Sequence, residues 1–197
     1  DLADPVYSES WPTWEQFFTI TTDELQRAVF MPVCGNHDDG PSGNADYWKV
    51  FNLPEKPSNG SCYSFDVGNT HFVALNSVTN FEREGQTNWL TRDLQRAANN
   101  TNIAWIIPYF HHPPYSYGGR EGDDDIKARW CPIFVQYEAD VVFSGHSHNY
   151  QRTVPIRGVN YFVAGGGGGT LYSSTFTPGV HEYATTCLFF VSCHVTG

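Results

Sequence analysis

Three short blocks concentrate the side chains that could do chemistry: Gly35-Asn36-His37-Asp38, His111-His112, and Gly145-His146-Ser147-His148-Asn149. Imidazole, carboxylate and amide oxygen together suit a borderline first-row cation such as zinc, iron or manganese, whereas calcium would take oxygens only. Each block follows an apolar run, VFMPVC (29–34), IAWIIPYF (103–110) or ADVVFSG (139–145), and Asp1-Leu2-Ala3-Asp4 opens the chain. A lone histidine in such a place is usually a surface or hydrogen-bonded residue. Here that reading would have to hold independently at three places, and a metal centre accounts for them better.

The spacing His146-x-His148 is not the i, i+4 helical pair that aims two imidazoles at one ion. In extended chain the two would share a face, ~6 to 7 Å apart; in a loop they can splay. Either geometry suits two neighbouring ions, ~3.5 to 4 Å apart in two-metal hydrolases. By spacing alone a single-metal site stays open.

The elements that must position these blocks are short β-branched or aromatic runs: SCYSFDV (61–67), THFVALNS (70–77), 103–110, 139–145, VNYFVAG (159–165) and CLFFVSCHV (187–195). Most are continuous and not alternating, as in strands buried on both faces. Helical patterns cover 85–100 and 126–139, where Pro132 warns of a late start or a kink, and WPTWEQFF makes a third. Strands alternating with helices argue for an α/β fold, and the pair joined through Gly68-Asn69 adds antiparallel character. In such sheets ligands gather at the carboxyl ends of the strands, where these histidines fall. The glycine run 165–169 reads either as a mobile loop after a strand or as backbone that approaches a ligand closely.

The chain has 197 residues, room for one domain with a sizeable core. Its 21 acids against 11 bases give a formal charge of −10, so no basic stripe exists for a nucleic-acid polymer. No apolar run approaches the ~20 residues of a membrane span. Five cysteines show no CxxC pairing. Cys187 and Cys193 would lie ~20 Å apart in a straight strand, too far for a disulfide. Sequons at Asn59 and Asn99 fit a secreted glycoprotein.

In order and spacing, Gly35-Asn36-His37-Asp38, His111-His112-Pro113-Pro114-Tyr115 and Gly145-His146-Ser147-His148-Asn149-Tyr150 resemble the blocks of the calcineurin-like metallophosphoesterases, nearest the purple acid phosphatase branch. The similarity continues through YSFDVGNTHFVALNS, QTNWLTRDL, YEADVVFSGHSHNYQR and VNYFVAGGGG. The resemblance implies a four-layer αββα sandwich of two mixed sheets with a two-metal site (iron, zinc or manganese) at the strand ends. It makes Asp1 the bridging carboxylate, gives Asn36, His111 and His146 to one ion, and gives His148 to its neighbour. His37 would face substrate as general acid, oriented by Asp38. The reaction so implied is hydrolysis of a small phosphate ester by water activated at the metals.

Three departures qualify it. The family's opening strand, which ends in an aspartate ligand, has no counterpart before Asp1, so the resemblance implies a catalytic domain over 1–197 that lacks its first strand or strands. The His148 ion would then be weakly held or absent. Asp4 stands where purple acid phosphatases carry a tyrosine, and is a ligand candidate in its place. The loop SYGGREGDDD (116–125) offers Arg120 for a phosphate oxygen where plant members place histidines, against the plainer reading of a solvated acidic loop. His112, pointing away from His111 if the chain is extended, belongs to the substrate-facing rim. His71 reads as structural, and His181 and His194 stay outside the site. Phosphodiester cleavage and a metal-depleted, non-catalytic scaffold are the alternatives to a phosphomonoesterase.

Overall fold

The computed structural model describes residues 2, 10–38, 47–54, 62–78 and 83–196. Asp1, Asp4 and the Asn59 sequon lie outside them. Seven strands form one ladder: β1 (Tyr63–Val67), β2 (Thr70–Ala74), β3 (Trp105–Phe110), β4 (Val141–Ser144), β5 (Tyr150–Thr153), β6 (Asn160–Ala164) and β7 (His181–Thr185). Their order is β1-β2-β3-β4-β6-β5-β7. Neighbours from β2 through β3 and β4 to β6 pair in parallel, while the β1–β2, β5–β6 and β5–β7 pairs are antiparallel. The middle of the sheet is parallel, but its strands are not buried on both faces as the continuous apolar runs suggested: β4 and β6 alternate buried with part-exposed residues, and Phe72, Phe143 and Phe162 stand on a face that is only partly covered.

Helix α1 (Ser10–Ile20) is followed by the single turns α2 (Thr22–Leu25) and α3 (Tyr47–Val50), then by α4 (Arg83–Ala98). Leu90, Leu94 and Ala97 of α4 are buried in one cluster with Ile106 and Phe110 of β3. A second cluster gathers Trp14, Cys34, Tyr47 and Phe51, with Trp14 edge-on to Phe51 at 5.7 Å. The helix expected over 126–139 is two: α5 (Asp124–Arg129) and α6 (Cys131–Gln136) meet at Trp130, with Pro132 in the first turn of α6, where its missing N–H costs nothing. The acidic run before them is not merely solvated loop. Asp123 caps α5 by accepting from Ile126 N at 2.9 Å, and Asp124 and Asp125 pair with Lys127 and Arg129 one turn on.

Some expectations change. The α/β class with a mixed sheet stands, but the described strands lie on one ladder and not on two sheets, because β5 turns back along β6 and carries β7 with it. Segment 187–195 is no strand: its Leu188 and Phe190 are exposed, and Phe189 N donates to the Gly166 carbonyl in a loop. Cys187 and Cys193 remain separate thiols, although the straight strand invoked to separate them is absent. The apolar run 29–34 is likewise outside any ladder, its main chain held by the Tyr63 and Tyr109 hydroxyls donating to the Pro32 and Met31 carbonyls.

His71, on β2, is structural as expected. Its Nδ1 lies 2.6 Å from Asp66 of β1 and its Nε2 lies 2.9 Å from buried Asp93 of α4, so one imidazole ties helix to sheet. Burial alone would lower its pKa, but the Asp93 and Asp66 carboxylates outweigh it and raise the value above 6.5. The charged clamp therefore contributes fully below pH 6.5 and fades as pH climbs through the raised value. His71→Ala should cost about 3 kcal/mol, the low end for breaking a buried pair because Ser64 and Arg96 still bind Asp93. In urea unfolding the gap between wild type and variant should be full below pH 6.5 and narrow as pH rises through the raised value; a gap that is constant or widens would contradict a protonated clamp.

Candidate metal centre

The parallel strands deliver their carboxyl ends to one edge of the sheet. β2 runs on into Leu75-Asn76-Ser77, β3 into His111-His112, β4 into Gly145–Asn149, and the turn Gly35–Asp38 comes to meet them. β3 pairs with β4 only at Tyr109 and Phe110, just past Pro108, which has no N–H to give the ladder. Gly145 N then donates to His111 O at 2.9 Å and carries the pairing into the loops.

His111 is the hub, 3% exposed. Its Nε2 stands 2.8 Å from Asn36 Oδ1 and 3.0 Å from His146 Nδ1. Three lone-pair atoms from three distant segments thus face one small volume. Two facing ring nitrogens require either a proton between them or a cation shared by both, and a nitrogen-rich set with one amide oxygen fits a first-row ion. Burial, reinforced by the charges of His112, His146 and His37, holds His111 far below the ordinary imidazole range. His146 is lowered to about 3, first by burial and then by the charges of His112, Arg120 and His148. Both rings are thereby kept neutral, the form that binds metal.

His112 is drawn into the cluster, contrary to the extended-chain picture. β3 ends at Phe110 and the chain bends, so the His112 ring comes within 4.4 Å of the His146 ring, centroid to centroid. His111, His112 and His146 each offer a nitrogen within 4.8 Å of the others. Ser77, fully buried just past the end of β2, fixes this ring: its hydroxyl and its carbonyl both lie 3.1 Å from His112 Nδ1, and the hydroxyl accepts from His112 N at 2.8 Å. Sequence reasoning missed Ser77, although it stands past the run THFVAL just as the histidines stand past theirs. Gln86 of α4 supports that strand end, its side-chain amide answering both Asn76 N and Asn76 O at 2.9 Å.

His146 and His148 splay. His146 adopts a left-handed backbone, φ 64°, a conformation that costs about 1 to 3 kcal/mol and collects at functional sites. Ser147, fully buried between them, turns its hydroxyl away from the cluster to donate to Gly118 O at 3.2 Å. The His148 ring stacks on Tyr172 at 4.4 Å with its Nδ1 donating to Thr170 O at 2.7 Å, which leaves Nε2 as the nitrogen open to a cation. Gly169 makes room for it, since a Cβ there would lie 2.7 Å from the ring. The close approach at this position is to the protein's own His148 ring and not to a ligand.

His37 sits half-buried beside Asn36. Asp38 is buried and accepts from Leu2 N and Gly35 N, both at 2.7 Å, so it fastens the turn that carries Asn36 and His37. Arg120 is exposed, with its guanidinium 5.7 Å over the Tyr172 ring. His181 lies apart, buried against Gln151 of β5.

A sheet whose carboxyl edge gathers imidazole and amide donors in this way defines a metal-binding α/β protein. The chain belongs to the calcineurin-like phosphoesterase family, whose model matches residues 1–150. It is 30% identical to purple acid phosphatase 23 of Arabidopsis thaliana over 82% of this chain and 38% of that protein. Against Glycine max purple acid phosphatase the identity is 26%, over 84% of this chain and 39% of the relative. The chain therefore spans about two fifths of the length of these relatives. The solved purple acid phosphatase PPD1 of yellow lupin aligns over 77% of this chain and 31% of its own, with a TM-score of 0.64 at 22% identity. GAP50, the anchor in the inner membrane complex of Plasmodium, aligns over 95% and 66% with a TM-score of 0.71 at 19% identity. Both structural likenesses concern the fold alone. Among the described residues no helix is long and apolar enough to cross a membrane.

Loss of the hub should be visible without any substrate. His111→Ala should lower zinc or manganese affinity at least about ten-fold by calorimetry, on the scale of losing one well-oriented ligand or its support. Unchanged uptake would place the ion elsewhere.

Proposed function

We propose that this chain is a metal-dependent phosphate-ester hydrolase of the phosphomonoesterase type, with Asn36, His111 and His146 holding one ion and His148, with Asp1, serving a second. The observation that carries this reading is the meeting of Asn36 Oδ1 and His146 Nδ1 on His111 Nε2. A bound iron, zinc or manganese would supply Lewis acidity toward the phosphoryl oxygens and lower the pKa of water. The chain's own residues do the rest. Burial keeps His111 and His146 neutral, so they need not shed protons before binding a cation. Ser77 holds His112 at the edge of the cluster, where its other ring nitrogen can meet a phosphoryl oxygen. His37, fastened through the turn that Asp38 ties down, gives its proton to the departing alkoxide.

The acidic surface suits a small ester and not a polymeric one, because it repels a polyanion at long range. Exposed Asn99 at the end of α4 is open to glycosylation, in keeping with a secreted protein.

In the metal-loaded protein, His37→Ala should lower kcat for para-nitrophenyl phosphate by about 10² to 10⁴ while metal content stays the same. Turnover of the bis ester above that of the monoester would reassign the substrate to diesters. Absence of both turnovers in a fully loaded protein would leave a binding scaffold.

A further inference from the structure

Several of the chain's basic side chains are answered by a carboxylate. Lys127 and Arg129 pair with Asp124 and Asp125, Arg152 with Glu182, and Arg96 with Asp93. Arg120, in a chain with 21 acids and 11 bases and with Glu121 beside it, has no carboxylate among the described residues within ion-pair distance.

Its main chain is nevertheless held at both ends. Arg120 N donates to Ser147 Oγ at 3.3 Å, and Ser116 Oγ donates to Arg120 O at 2.6 Å. Both serines are buried, and Ser147 is the residue between His146 and His148. Gly119, at φ 75°, lets the loop close down, since a Cβ there would lie 2.6 Å from the Tyr172 Cβ. The guanidinium comes to rest 5.7 Å over the Tyr172 ring, and that same ring stacks on His148 within 6° of parallel. Tyr172 N donates to His148 O at 3.0 Å, so the ring is anchored to the residue it supports.

A ring contact consumes none of the five N–H donors of a guanidinium, so the fork stays open to an oxyanion while the aromatic surface limits its wandering. We propose that Arg120, carried on Tyr172 beside His148, forms a phosphate-anchoring subsite at the mouth of the histidine cluster, with Tyr172 as the residue that positions both. The inference rests on the phosphoesterase reading and deepens it. The anchor takes two non-bridging oxygens of the phosphoryl group as a planar, two-point contact, which favours a dianionic monoester over a monoanionic diester. Nothing in the run SYGGREGDDD distinguished this arginine from a solvated one; Tyr172, far along the chain, does.

Binding of inorganic phosphate to the metal-loaded protein, followed by calorimetry with metal content measured in parallel, tests the subsite. Arg120→Gln should weaken phosphate at least about ten-fold and raise KM for para-nitrophenyl phosphate more than it lowers kcat. Tyr172→Leu should reproduce part of that loss, and Tyr172→Phe, which keeps the ring, should restore wild-type binding. Phosphate affinity in Arg120→Gln equal to wild type would overturn the anchor while leaving the hydrolase reading intact. Equal loss in the leucine and phenylalanine variants would overturn the positioning role of the ring. A loaded wild type that binds no phosphate would overturn anchor and hydrolase reading together.

Discussion

Everything at this edge of the sheet is organised by the desolvation of one imidazole. His111 follows directly on a strand buried between two others, with its main chain continuing the ladder into Gly145 and its ring 3% exposed. A buried ring must have its nitrogens answered, because an unpaired polar atom in that setting costs about 1 to 3 kcal/mol. The answers come from Asn36, on a turn far back in the chain, and from His146, one strand further on. That requirement closes the site: two loops that share no secondary structure meet because both are needed at the same nitrogen. A cation in that place would satisfy all three donors at once.

Around the hub, the loops are kept in place by buried polar side chains more than by apolar packing. Gln86 takes both main-chain groups of Asn76, which holds Ser77 where it can grip His112. Asp38 takes Leu2 N and Gly35 N, fastening the turn beneath Asn36 and His37. Gln151, 1% exposed, accepts from Tyr117 N and donates to Ser116 Oγ and Asn149 Oδ1, so β5 ties the Arg120 loop to the residue after His148. Such fully answered networks are directional in a way that apolar contacts are not, and they explain how a site made of loops can be as ordered as the strands that feed it.

The parts legible in the sequence were those governed by local composition. Continuous apolar runs marked β2, β3, β4 and β6, and the residues just past them marked the histidines, because a strand that feeds an apolar core is apolar along its length and ends where the chain turns polar. Pro132 announced the break between α5 and α6. β5 and β7 were illegible for the same reason: YQRT and HEYAT lie toward the edge of the sheet, part-buried and polar, and only pairing within the β6-β5-β7 ladder makes them strands. The opposite error arose at 187–195, where strand-like composition finds no ladder partner among the described residues. Within the site, Ser77 and Tyr172 escaped because their contributions are contacts across the fold, with no signature in their own neighbourhood.

The motif Gly145-His146-Ser147-His148 shows how two histidines two residues apart are kept from competing for one position. Extended, they would share one face, ~6 to 7 Å apart. Here the left-handed turn at His146 directs that ring inward to His111, while buried Ser147 engages the Arg120 loop and turns the chain so that His148 leaves toward Tyr172. The strain at His146 is therefore coupled to the burial of Ser147, and neither could relax without moving the other. The consequence for chemistry is a division of labour. His146 belongs to a set buried enough to stay neutral. His148, its Nδ1 committed to Thr170 and its face to Tyr172, leaves one nitrogen uncommitted toward the more open side, and Tyr172 also carries the Arg120 guanidinium 5.7 Å over its ring. The same turn that separates the two histidines thus leaves one ring in the buried cluster and the other toward the surface.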